Sequence, residues 1–296
     1  MALVATLVAN PSNPVLTPKI AERAAEAVNA SGLYWLADGI ACDIALRDGT
    51  DAPAAEADIL AVISGAPIDL VIQEQESRRK KLLIADMDST MIGQECIDEL
   101  AAEVGLKEKV AAITARAMNG EIAFEPALRE RVALLKGLPI SVVDEVIAKR
   151  ITLTPGGPEL IATMKSKGHY TALVSGGFTV FTSRIAATLG FDENRANMLL
   201  EDGGILSGFV AEPILGKQAK VDALNEISAQ LGISPDDAIA VGDGANDLGM
   251  LHVAGAGVAL HAKPAVAAEA QMRINHGDLT ALLYIQGYRK TDFVTG

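Results

Sequence analysis

Cysteine is nearly absent from this chain of 296 residues: Cys42 and Cys96 are its only two, without CxxC spacing. That excludes a disulfide framework and predicts a reduced, cytoplasmic protein whose two thiols are plain core residues. Aromatic residues are scarce, at 4%, so Ala, Val, Ile and Leu must fill the interior. Positive charge is in the minority, since 25 Lys and Arg against 38 Asp and Glu leave a formal charge of −13. A nucleic-acid partner is thereby argued against, because phosphate backbones demand a basic surface. A small anionic substrate is still allowed, because it senses local charge and any bound cation rather than the total. No apolar run approaches membrane-spanning length, so no membrane partner is expected. The apolar start MALVATLVANPSNP has no basic segment and is broken by two prolines, so it reads as a strand and turn rather than a secretion signal. Half the residues are apolar, which predicts a soluble protein with a sizeable core.

Residues 1 to 76 form one unit in the sequence pattern. Strand candidates are Leu3 to Val8, Leu33 to Ala37, Cys42 to Leu46 and Ile68 to Ile72. A helix follows Thr17-Pro18 with Ile20, Ala24, Ala27 and Val28 on one face, and a second spans about Ala54 to Ile63. Asp38-Gly39 between the middle strands is a hairpin signal. The order β-α-β-β-α-β is the ferredoxin-like split motif and resembles the small ACT-type regulatory domains. Such a unit suits an effector-binding role or an assembly role, with a homodimer as the simplest arrangement. Trp35 and Cys42 belong to its packing. The run SRRKK, 77 to 81, reads as a solvated linker.

From Leu82 onward apolar strands alternate with helices, the signature of a doubly wound α/β sheet covered on both faces. Its strand candidates are Leu82 to Ala85, Thr171 to Val174, Ala238 to Val241 and Gly257 to Ala259. Residues 93 to 150 carry only helical periodicity, with Ile97, Leu100, Ala101 and Val104 on one face and Leu128, Val132 and Leu135 on another. An all-helical insertion after the first strand predicts a cap over the sheet edge. The catalytic core is then 77–92 with 151–296. LEDGGILSGFV, 200 to 210, reads as a hairpin.

Three strands end in polar tips: LLIAD at Asp86, TALVSGG at Ser175, and AIAVGDGAND at Asp243 with Asn246 and Asp247 beyond. A lone Asp at a strand end is usually a turn or a cap. Acids converging on one sheet edge repel unless a cation neutralises them, and Mg²⁺ is the hard ion that oxygen ligands suit. Asp86 against a cation-bound phosphate is a nucleophile able to form an acyl phosphate. Asp88, two residues on, is placed to shuttle a proton. Ser175 and the N–H groups of Gly176 and Gly177 supply phosphate donors. A lysine would neutralise the transferring group, and Lys217 and Lys220 are both candidates.

DMDSTMI, SGG, the lysine before VDALNEI and VGDGAND resemble, in order, the four motifs of the haloacid-dehalogenase-like phosphatases, over residues 82 to about 260. With FEPALRERV in the cap, they are most similar to the family's phosphoserine-cleaving members, which act last in serine synthesis. The resemblance implies Asp86 as nucleophile and Asp88 as general acid/base. It implies Mg²⁺ held by Asp86, Asp243 and the Asp88 backbone carbonyl, with Asp247 behind them. It places Ser175, Gly176, Lys220 and Asn246 on the phosphate, Glu95 on the ammonium of O-phosphoserine and Arg131 on its carboxylate. The N-terminal 76 residues lie outside it. From the residues alone, Glu95 also fits a favourable acid near a helix start and Arg131 an exposed surface cation. Phe124 fits cap core or a residue that closes the pocket, and the four histidines show no metal-ligand spacing. A phosphatase or phosphotransferase for another small phosphometabolite and a non-catalytic amino-acid sensor are the other readings. An ion-pumping ATPase is excluded by Asp88, where such pumps carry Thr, and by the lack of membrane spans. The intact set Asp86, Asp88, Lys220 and Asp243 argues against the sensor.

Overall fold

Thr17 starts the first helix as the Thr-Pro pair predicts: its side chain accepts from the Ile20 N–H, and Pro18 fills a position that needs no donor. The computed structural model describes residues 2–118 and 121–295. Its N-terminal part runs β1 (Leu3–Ala9), α1 (Pro18–Ala27), β2 (Gly32–Ala37), β3 (Ala41–Ala45), α2 (Ala52–Ile63) and β4 (Ile68–Glu74). These strands form an antiparallel sheet in the order β2-β3-β1-β4. Leu7, Leu16, Cys42, Ile44 and Ile59 close a core against its helices, with Trp35 packed at the margin.

The chain then enters β5 (Leu82–Ala85) and leaves it for four helices, α3 (Cys96–Glu103), α4 (Lys107–Met118), α5 (Phe124–Ala133) and α6 (Val142–Arg150). It returns through α7 (Gly157–Ser166), β6 (Tyr170–Phe178), α8 (Thr179–Leu189) and β7 (Glu193–Asn197). A hairpin of β8 (Leu199–Asp202) and β9 (Ile205–Val210) precedes α9 (Lys217–Leu231) and β10 (Ala238–Gly242). The remainder is α10 (Leu248–Val253), β11 (Ala256–Leu260), α11 (Pro264–Glu269), β12 (Met272–Ile274) and α12 (Ala281–Ile285). Among the described residues the second sheet is parallel, in the order β12-β11-β10-β5-β6-β7.

Two-residue alternation shows how this sheet is covered on both faces. Leu83, Ala85, Ile239 and Val241 enter one core, while Leu82, Ile84, Ala238 and Ala240 enter the other. β5 is the switch point. Later strands go first to β6 and β7 on one side, then to β10, β11 and β12 on the other, so a crevice opens at the carboxyl end of β5.

Three features depart from the sequence pattern. SRRKK is not a solvated linker: Arg78 pairs with buried Asp43 at 2.8 Å, and Lys80 is buried with its Nζ on the Asp236 carbonyl at 2.7 Å. Arg78 and Lys80 are thus turned inward, while Ser77, Arg79 and Lys81 stay exposed. β6 continues past Val174 through Ser175 to Phe178, with an irregular register against β7. The hairpin β8–β9 is stitched to the helical insertion. Gly137 N–H donates to the Leu206 carbonyl at 2.9 Å, Leu206 N–H to Leu138 at 2.8 Å, and Ile140 N–H to Gly204 at 2.8 Å.

The two sheets meet through Asp69 at the start of β4. Its carboxylate is 4% exposed and accepts the backbone N–H groups of Asn275, His276 and Gly277 at 2.7 to 3.2 Å. Gln73 adds a bond to the Ile285 carbonyl at 2.7 Å. Asp69→Ala strands three enclosed N–H groups at this junction and should cost about 2 to 4 kcal/mol. Urea unfolding checks this, and a loss below about 0.5 kcal/mol would mean that the carboxylate does not hold the junction.

Candidate active site

Asp86 follows β5 in extended backbone, and its Oδ1 accepts the Met87 N–H at 2.7 Å. The same oxygen lies 2.7 Å from the Lys220 ammonium, which the first turn of α9 delivers at 2% exposure. Lys220 also donates to Asp247 Oδ1 at 2.6 Å. Asp247 is fully buried at the start of α10, and its Oδ2 accepts the Gly244 N–H at 3.0 Å. Asn246 Nδ2 donates to Asp247 Oδ1 at 3.4 Å. Gly242 makes this approach possible, since a Cβ there would fall inside the Asp247 side chain. Asp243 stands just beyond β10, where Oδ1 accepts the Thr90 hydroxyl at 3.2 Å. Of the two candidate lysines, Lys220 is in the cluster and Lys217 is on the exposed surface.

Asp86, Asp243 and Asp247 bring carboxylate oxygens within 4.8 Å of one another. Burial, with the Asp86 and Glu95 charges behind it, pushes the Asp243 carboxyl up to about 6. Burial and the Asp86 charge push Asp247 up to about 7, with Lys220 opposing. Burial alone would lower Lys220, but the Asp86 and Asp247 carboxylates outweigh it and hold the ammonium above its ordinary value. Three acids against one lysine leave net negative charge in a nearly dry site. Hard oxygen donors carrying excess negative charge fit a hard divalent cation. Both oxygens of Asp247 are already engaged, which leaves Asp86 and Asp243 as the carboxylates with capacity to spare.

Asp88 sits two residues beyond Asp86 and accepts the Cys96 N–H at 3.4 Å. Its Oδ2 is beside Gly177, where an added Cβ would come within 3.2 Å. Burial, reinforced by the Glu95 and Asp86 charges, raises its carboxyl well above the usual range. On the opposite wall Ser175 is buried, and its Oγ accepts the Gly177 N–H at 2.9 Å. The Gly177 donor expected for phosphate is therefore turned inward to shape the loop.

Asn197 carries a role that nothing in the sequence signalled. Buried at the end of β7, it donates to the carbonyls of Gly176 at 2.9 Å and Leu215 at 3.2 Å, and accepts the Leu215 N–H at 2.7 Å. It ties the SGG segment to the loop that leads into α9. Thr90, on Asp243, is a second such residue; it was hidden inside a motif already assigned to the acids.

From the helical insertion, Glu95 precedes α3 and accepts the Ser89 hydroxyl at 2.7 Å. Arg131 is half-buried on α5, its Nε on the Ala127 carbonyl at 3.2 Å and a terminal nitrogen on Thr114 Oγ1 at 3.4 Å. Burial lowers its pKa while the charges of Asp98, Glu95 and Asp88 hold it up. Among the described residues no carboxylate comes within 4.0 Å of it, whereas Arg129 on the outer face pairs with Glu125 and Glu212. Phe124 is not cap core. It is 39% exposed, and its ring stands 3.6 Å from where a Cβ would lie on Gly176 and on Gly216. An aromatic ring at the start of α5 thus faces the phosphate-side loops across the crevice.

Residues 83–252 match the haloacid dehalogenase-like hydrolase family. The chain is 50% identical over 208 residues to phosphoserine phosphatase from Polaromonas sp., covering 69% of this chain and 88% of that protein. A haloacid dehalogenase family hydrolase from Salmonella enterica serovar Typhi superposes with a TM-score of 0.85 at 30% identity, over 97% of this chain and 98% of the other, so it extends over the N-terminal sheet as well. A phospho-aspartyl intermediate analogue of phosphoserine phosphatase superposes with a TM-score of 0.64 at 44% identity, over 70% of this chain and 98% of the other.

The raised carboxyls of Asp243 and Asp247 give a signed pH dependence. With both folded values above the unfolded one, the folded state binds more protons than the unfolded chain between about pH 4 and 7. Their stabilising contribution is whole below that window and is lost as pH rises through about 6 to 7. In EDTA, the melting temperature should therefore gain less, or fall more, between about pH 5 and 8 than in millimolar divalent cation. A cation increment that is equal at both pH values, or absent at both, would contradict a cation at this cluster.

Proposed function

The chain belongs to the haloacid dehalogenase-like hydrolase family, and we propose that it hydrolyses O-phosphoserine to serine and phosphate through an aspartyl-phosphate on Asp86. That reaction ends serine synthesis. The observation that carries the reading is the nearly dry Asp86–Lys220 pair at 2.7 Å, with Asp88, whose carboxyl burial raises above the usual range, two residues on. A nucleophilic carboxylate, a fixed cation and a separate acid are the three parts that phosphoryl transfer to an enzyme side chain needs.

In the first step an Asp86 carboxylate oxygen attacks phosphorus. The bond from phosphorus to the seryl oxygen breaks, its electron pair leaves with that oxygen, and Asp88 supplies the proton that completes serine. In the second step Asp88, now a carboxylate, takes a proton from water while the water oxygen attacks phosphorus. The acyl-phosphate P–O bond breaks, Asp86 regains its carboxylate and inorganic phosphate departs. The Lys220 ammonium, the Ser175 hydroxyl, the Gly176 N–H and the Asn246 amide hold the phosphoryl oxygens. Asp86, Asp243 and the Asp88 backbone carbonyl, with Asp247 behind them, would hold Mg²⁺, which would supply charge neutralisation on those oxygens.

The insertion selects the amino-acid part of the substrate. Glu95 takes the ammonium, and the planar fork of Arg131 takes the carboxylate. Arg131 suits this role because it lies in the acids' field yet is held only by a carbonyl and a hydroxyl. The N-terminal sheet, 1–76, is an ACT-like assembly or effector module in this reading, with β2 as its open edge in a homodimer. The division into that module, a core of 77–92 and 151–296, and a cap of 93–150 accompanies it. Two unpaired, buried cysteines suit a reducing, cytoplasmic setting.

Phosphate release from O-phosphoserine, present with Mg²⁺ and absent with EDTA, tests the reaction. Asp86→Asn should keep the fold by circular dichroism and fall below about a thousandth of wild-type turnover. Activity within about tenfold of wild type would remove the covalent step.

Substrate choice has its own test. Arg131→Ala should reduce kcat/KM for O-phosphoserine by about 2 to 5 kcal/mol, and cost far less for phosphoethanolamine, which has no carboxylate. Glu95→Gln should penalise O-phosphoserine more than 3-phosphooxypropionate, which has no ammonium. One common loss factor across all three compounds would reduce both residues to scaffold.

A further inference from the structure

Between Asp88 and Thr90 the backbone turns through Ser89 at φ +54°, in the left-handed region that serine seldom occupies. Two bonds accompany the turn. The Ser89 N–H donates to the Gln94 carbonyl at 3.2 Å, and its hydroxyl donates to Glu95 Oε1 at 2.7 Å. Its neighbour faces the other way, with the Thr90 hydroxyl on Asp243 across the sheet edge. The short side chains favoured at a helix start, Ser, Thr, Asp and Asn, bond the helix's own first N–H groups. Glu95 occupies that position before α3, yet its side chain accepts none of them, and the Cys96 N–H serves Asp88 instead. The Glu95 carboxylate is therefore held by a residue of the catalytic loop rather than by its own helix.

We propose that Ser89 is a positioning residue for substrate selection: its left-handed turn aims the hydroxyl that keeps the Glu95 carboxylate off the helix terminus and toward the substrate's ammonium group. The inference rests on the O-phosphoserine reading above and adds the residue that makes Glu95 available for it. One oxygen of Glu95 is fixed by Ser89, which leaves the other to the ammonium. Strain at such a position persists only where the surroundings enforce it, and here the enforcing contacts are the bonds to Gln94 and Glu95.

Two substitutions separate the hydroxyl from the backbone. Ser89→Gly removes the hydroxyl and relieves the left-handed turn, whereas Ser89→Ala removes it and keeps the steric conflict. The glycine variant should be the more thermostable of the two, while both lose selectivity alike. For each, the ratio of kcat/KM for O-phosphoserine to that for 3-phosphooxypropionate should fall about tenfold, mainly through KM for O-phosphoserine. Combining either change with Glu95→Gln should lower that ratio no further than Glu95→Gln alone, because one residue acts through the other. An unchanged ratio in both variants, or an additive loss in the double variants, would overturn the inference. A wild type that does not discriminate between the two compounds would overturn the amino-acid phosphate reading itself. A wild type that discriminates, with single variants that discriminate equally well, would overturn the role of Ser89 alone.

Discussion

Lys220 is 2% exposed with its ammonium wedged between two carboxylates, and the rest of the site is built to make that placement tolerable. A buried ammonium without partners would shed its proton or unfold its surroundings. Its partners come from different parts of the chain: Asp86 from the tip of β5, and Asp247 from the start of α10. They meet only if β5 and β10 are neighbours in parallel register and if the backbone at Gly242 passes close beneath Asp247. Topology and glycine placement thus follow from one electrostatic demand. The demand is over-answered, because Asp243 adds a third acid. That surplus of negative charge makes the site receptive to a cation.

A chain of formal charge −13 places its scarce cations with care. Arg78 reaches buried Asp43, Lys80 the Asp236 carbonyl and Lys220 the acid cluster, and among the described residues Arg131 has no carboxylate within 4.0 Å. Exposed pairs such as Lys149–Glu145 contribute little by comparison. Total charge therefore says little about what the crevice binds, since the groups that face it form a local arrangement of both signs.

Much of this was legible in the sequence where apolar runs and polar tips coincide. Leu82–Ala85 is bounded as its pattern predicts, and the three tips at Asp86, Ser175 and Asp243 do share one sheet edge. β7, with the sequence ENRAN, gives no apolar signal because it is an edge strand with mostly half-buried positions. β12 is three residues long, too short for a period to register. Asn197, Thr90 and Ser89 were illegible for another reason. Their importance lies in which backbone or carboxylate they reach, and that depends on contacts between segments distant in sequence. Phe124 takes the second of its two readings: an aromatic at helical spacing is usually core, whereas here the ring crosses to the facing loops. SRRKK departs in the opposite direction, since a charge run usually faces water and here Arg78 and Lys80 turn inward while the other three residues face it.

The backbone bonds between the β8–β9 hairpin and residues 137–140 have a mechanical consequence. The insertion and the hairpin leave the core from separate strands: one seam lies at the Ile92–Leu153 bridge, the other at the hairpin base, where the Ala211 N–H meets the Met198 carbonyl. A body fastened along two separated seams cannot swivel freely on either. Unless the three stitching bonds break, it can only rock about the line that joins the seams, as a door does on a pair of hinges. Arg131 and Phe124 ride on that door, whereas Glu95 is tied to the catalytic loop through Ser89. The two riders must then approach and leave the crevice in concert, so that a cation and an aromatic wall reach it as a single event.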